Sequence, residues 1–126
     1  MHVRCAAVGI ALLLAASSPW AHHSTVAFDV SKTVNVRGKL ARVDWRNPHI
    51  ELSLEVGGAD QVEIWTIESA APSFFRGRGV SRSVFESAIG QTVSADVYRA
   101  KDGRLSGSLV RLTFANGTTV AGAAGA

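Results

Sequence analysis

Sulfur is nearly absent from this chain. Cys5 is its one cysteine and Met1 its one methionine among 126 residues. Both fall in an apolar leader, so the chain beyond it has no disulfide and no thiolate metal site. The fold must rest on a hydrophobic core alone. Runs of one charge are missing too: 13 basic side chains stand against 10 acidic ones, a net charge of +3, and the arginines are scattered. Losing Arg4 with the leader lowers that excess by one, a mild balance, and export argues against a nucleic-acid partner. Catalytic signatures are lacking as well. There is no G-x-S-x-G elbow, no phosphate-cradling glycine loop, no H-E-x-x-H and no cysteine nucleophile, so the chain is expected not to be an enzyme.

The composition that is present, 47% hydrophobic and 18% charged, fits one globular domain rather than a disordered or fibrous chain. His2 and Arg4, the apolar run from Cys5 to Ala16, and then Ser17, Ser18, Pro19, Trp20 and Ala21 match a secretory signal peptide over residues 1–21. The run is shorter than the roughly 20 apolar residues a membrane helix needs, so no transmembrane segment is expected after processing. Cleavage after Ala21 makes His22 the first residue of an exported protein, periplasmic or secreted. Residues 22–120 then form one β domain, and the Ala/Gly stretch 121–126 is expected to be a flexible tail.

Thr33–Asp44 alternates apolar and polar and is interrupted at Gly38, which predicts a long bent strand. His49–Val56 alternates cleanly, with Ile50, Leu52, Leu54 and Val56 on one face. A loop at Gly57–Asp60 leads into a third strand, Gln61–Glu68, whose apolar phase shifts at Trp65. Ser83 and Glu86 stand at capping-box spacing and Gly90 is a stop, which predicts one short helix burying Val84, Phe85 and Ile89. Thr92–Arg99 and Leu105–Phe114, joined by Asp102-Gly103, complete five strands. The expected class is mainly β: a small OB-fold-like, five-stranded, partly open barrel with one short helix between strands three and four. An open antiparallel sheet with a helix on one face is the other architecture of that element order. The expected core is Ile50, Leu52, Leu54, Val62, Ile64, Val93, Val97, Leu109 and Leu112.

The histidines beyond Ala21 are unevenly placed. His22 and His23 open the processed chain, and His49 lies in the R-N-P-H turn between the first two strands. An amino-terminal histidine offers a metal its α-amine and its imidazole together, and a further imidazole completes the nitrogen-rich set that copper as Cu(II) favours. His22, His23 and His49 are therefore candidate ligands for copper or another transition metal. The α-amine ordinarily titrates at about 7.7 to 8.0, so binding must compete with its proton. A second candidate surface is formed by Trp45, Asn47, Trp65 and Phe74, near the loops with which OB-folds bind ligands; it suits a metal-free module for an envelope protein or glycan. The carboxylates Glu51, Glu55, Glu63 and Glu68 are expected on a solvated face, paired with nearby arginines.

Several stretches resemble a known family. "HHSTVAFD" (22–29), "VDWRNPHIELSLEV" (43–56), "WTIESAAPSFFRGRGV" (65–80) and "RAKDGRLSGSLVRLTFANG" (99–117) look like the exported bacterial proteins of the domain-of-unknown-function family 6152. The most specific parts are the His-His-Ser start, the W-x-N-P-H turn (Trp45, Asn47, Pro48, His49) and the W-x-I-E strand (Trp65, Ile67, Glu68). The resemblance implies export and a shared small β fold, with no established activity. The chain departs from the family pattern at Val80, where a tryptophan is frequent, and at Ala100, where a proline is common.

Overall fold

The first strand must serve two partners, and its bend makes that possible. In the computed structural model, which describes residues 27–123, β1 (Val34–Asp44) pairs antiparallel with β4 (Thr92–Arg99) through Val34–Lys39 and with β2 (Glu51–Gly58) through Lys39–Asp44. Gly38 stands at this change of partner, where a Cβ would run into the Glu55 carbonyl oxygen. A bulge between Leu40 and Arg42 adds to the bend. β2 turns through Ala59-Asp60 into β3 (Gln61–Glu68), and β4 returns into β5 (Ser106–Thr113).

The decisive pairing is parallel. Thr66, Ile67 and Glu68 of β3 lie beside Ser106, Gly107 and Ser108 of β5, which closes β1-β2-β3-β5-β4 on itself. The result is a closed, OB-fold-like five-stranded barrel rather than an open sheet. A sixth strand, β6 (Thr119–Ala121), absent from the sequence expectation, pairs with the far end of β5. It incorporates Ala121, assigned above to the tail. The leader, His22, His23 and the last three residues lie outside the described residues.

Two short helices, rather than one, fill the β3 to β4 connection: α1 (Pro72–Arg76) and α2 (Arg82–Glu86). Pro72 suits the first position of α1, where its missing N–H is not needed. Each helix contributes one buried ring to the end of the barrel. Phe75 and Phe85 meet edge to face at 5.1 Å, and Trp45 packs on both, at 6.0 Å and 5.4 Å. They cover a core in which Leu40, Ile50, Leu52, Leu54, Ile67, Val93, Val97, Leu109 and Leu112 are wholly buried.

Four expected core positions are corrected. Val62 and Ile64 are 53% and 52% exposed, because the tip of the β2–β3 hairpin runs past the start of β5 and its buried face is that of Trp65 and Ile67. Val84 and Ile89 are also exposed, since five residues of α2 make little more than one turn and only Phe85 faces the barrel. The capping box is likewise not formed. Ser81 is the N-cap, without a side-chain cap bond, and Glu86 instead accepts from Arg82 Nε.

Candidate functional site

His49 is held at the mouth of a groove by ladder bonds that continue beyond the ends of β2 and β3. Ser69 N–H donates to the Ile50 carbonyl at 2.8 Å, and Ile50 N–H donates to that of Ala70 at 3.0 Å. This fixes the N-P-H turn against the chain leaving β3. The His49 ring then turns Nδ1 to the Ser69 carbonyl, 3.1 Å away. A carbonyl only accepts, so Nδ1 carries the proton and donates. Nε2 is left facing Glu68 Oε1 at 3.5 Å, with both side chains partly exposed.

The groove itself encloses about 560 Å³, within the range of small-molecule sites. Phe28, Pro48, His49, Glu68, Phe74 and Tyr98 are among the residues that line it. Phe74 is held by Arg78, whose guanidinium lies 3.6 Å above its ring and donates to its carbonyl. The segment before β1 is tied to the end of β4: Asp29 N–H donates to the Arg99 carbonyl, Lys101 N–H to that of Ala27, and Phe28 bridges Ala100. The chain therefore enters the domain at the groove.

Among the described residues Glu68 is the one carboxylate that lines it. Glu68 and Glu51 are direct cross-strand partners, and among the described residues neither has a lysine or arginine within ion-pair distance. Of the four strand carboxylates expected to pair with arginines, none does so among the described residues: Glu55 pairs with Lys39 and Glu68 faces His49.

The sequence candidates separate in the structure. His49 and Phe74 share the groove. Trp65 is 7% exposed and belongs to the core, which corrects its assignment to a ligand surface. Trp45 is half-buried on Phe75 and Phe85, and Asn47 is exposed in the turn, joined to Pro48 by a cis peptide bond. His22 and His23 lie outside the described residues. Glu68 and Tyr98 were not singled out as site residues from sequence. The signal for Glu68 was its place closing the W-x-I-E stretch, one step before the chain that binds the His49 ring. Among the described residues no three His, Cys, Asp or Glu side chains converge as a metal cluster, and no helix is long and apolar enough to cross a membrane.

No curated protein and no solved structure matches the chain. A family model does, over residues 10–110. The turn that carries His49 and the strand that ends at Glu68 both lie within this match, and the chain belongs to the family of unknown function DUF6152.

Proposed function

We propose that the protein is an exported, non-enzymatic binding module, periplasmic or secreted, that holds copper or another transition metal at the mouth of its groove. His49 supplies one nitrogen, and His22, with its α-amine, and His23 supply the others once the leader is removed. The observation that carries this reading is the orientation of His49. Its Nδ1–H is spent on a backbone carbonyl and its Nε2 is left facing Glu68, which lines the same groove; a bond from the other ring nitrogen is the outer-shell arrangement by which proteins fix metal-ligating imidazoles.

Two further features support it. The incoming chain is anchored at Phe28, on the same groove as His49. His23 precedes Phe28 by five residues, a reach of up to about 17 Å in extended chain. Processing also creates the ligand: the precursor has a poorly donating amide nitrogen at His22, whereas the cleaved chain has a free amine beside an imidazole. Such a site would exist only after export.

A metal-free module is the second reading, favoured by the apolar walls around Phe74 and Phe28, which suit an envelope glycan or protein segment. Metal analysis of protein purified from the exported compartment, with mass spectrometry of its amino terminus, separates the two. Copper or another transition metal near one equivalent on a chain starting at His22 is expected. A metal-free chain that takes up no added Cu(II) overturns the metal reading and leaves the module.

A further inference from the structure

We infer that Glu68 is a direct ligand of the ion at His49, and that it makes the site select an oxidised, divalent ion, Cu(II) over Cu(I). The inference rests on the proposed metal reading and adds to it a ligand and a charge state. It starts from two acceptors that face each other. With Nδ1–H donated to the Ser69 carbonyl, a neutral His49 presents a lone pair on Nε2 to a Glu68 carboxylate oxygen 3.5 Å away. In that state neither atom has a proton for the other, and the pair is satisfied by a cation between them: a proton on Nε2, which makes an ion pair, or a metal ion in its place.

The spacing suits a metal ion. Bonds of about 2.1 Å from imidazole and carboxylate place the two donor atoms about 3.4 Å apart at a tetrahedral angle, and about 3.0 Å apart at a right angle. A small rotation about either side chain spans that range.

The surroundings raise the demand for positive charge. Glu51 stands directly opposite Glu68. The Ser69 N–H to Ile50 carbonyl bond on the neighbouring pair makes Glu51 and Glu68 a non-hydrogen-bonded pair, the closer of the two antiparallel kinds. Like charges so placed repel. Among the described residues no lysine or arginine lines the groove, although the chain as a whole is positive.

Oxidation state follows from donor type. Carboxylate and imidazole suit Cu(II) and Zn(II), whereas Cu(I) is selected by thiolate and thioether sulfur. The only sulfur atoms in the sequence are those of Met1 and Cys5, both within the expected leader.

The test uses the chain beginning at His22 and its Glu68→Gln and Glu51→Gln variants, titrated with Cu(II) in air and with Cu(I) under anaerobic reductant. Both sites are solvent-facing, and thermal melts confirm that the variants are folded. Glu68→Gln keeps the size of the side chain and removes its charge. It should weaken Cu(II) binding about tenfold or more and shift the visible Cu(II) absorption band. Glu51→Gln, which alters only the field, should cost less and leave the band in place, and Cu(I) should bind the unmodified chain more weakly than Cu(II). Cu(II) bound by Glu68→Gln with unmodified affinity and spectrum overturns the ligand assignment. Equal retention of Cu(I) and Cu(II) overturns the selectivity. Failure of the unmodified chain to bind either ion instead removes the metal reading itself.

Discussion

Two isoleucines three residues apart on β3 should respond very differently to truncation. Ile67 is wholly buried and Ile64 is 52% exposed. Replacing either by alanine removes three carbons, worth about 2.4 kcal/mol at roughly 0.8 kcal/mol per buried carbon. Ile67→Ala loses all of that and leaves a void inside a closed barrel, so about 3 to 4 kcal/mol is expected, within the usual span for such changes. Ile64→Ala loses about half the transfer term, about 1 kcal/mol, and opens no cavity. Urea unfolding followed by tryptophan fluorescence measures both, and the comparison is valid if the variants share one m-value. Equal losses, or a larger loss for Ile64→Ala, would refute the inward phase of Trp65 and Ile67. They would mean a β3 register slipped by one residue, which exchanges the two faces of a strand.

Two other perturbations test the fold. Gly38→Ala drives a methyl group into the Glu55 carbonyl and within 2.9 Å of a Val56 methyl; chemical denaturation should show a loss of about 1 to 3 kcal/mol, typical of overpacking, and an unchanged midpoint would contradict the tight crossing of β1 and β2. Asp96 accepts from Asn35 Nδ2 and from Arg111, both at 2.8 Å, and these bonds hold its carboxyl below the usual carboxylate range. A depressed folded-state value stabilises the protein above the unfolded value of about 3.9 and loses that contribution as pH falls through the folded one. The stability gap between the unmodified chain and Asp96→Asn should therefore be constant near neutrality and shrink below about pH 4 in thermal melts, and a gap independent of pH would count against the Asp96 network.

The strands were legible in the sequence because each carries a stretch of alternation bounded by turn residues. Gln61–Glu68 and Thr92–Arg99 keep their expected limits. What alternation cannot encode is which of two phases faces inward when a strand carries both. In Q-V-E-I-W-T-I-E, Val62 and Ile64 compete with Trp65 and Ile67, and the outcome is set by where β5 begins, a tertiary fact. The barrel closure was likewise hidden, since the β3–β5 contact joins residues about forty positions apart through only three partner pairs. β6 lies past the last expected strand, Leu105–Phe114, and takes its final residue, Ala121, from the expected tail, because a three-residue strand has no period to detect. At the site, the N-P-H turn drew attention through its histidine. Glu68 did not, because a carboxylate on an outward strand position usually means solvent. The role proposed for it depends on the neighbouring Ser69 carbonyl fixing the His49 ring, a contact between residues 20 apart in sequence.

The most direct measurement is a Cu(II) titration, by calorimetry at fixed pH, of three proteins: the chain beginning at His22, the same chain with one alanine added before His22, and His49→Ala. The expected result is one tight Cu(II) equivalent on the first, and weaker binding both when the α-amine is moved away from the His22 imidazole and when the His49 nitrogen is removed. Equal affinity in all three would contradict a metal site at the groove and leave the histidines as residues of the terminus and the turn.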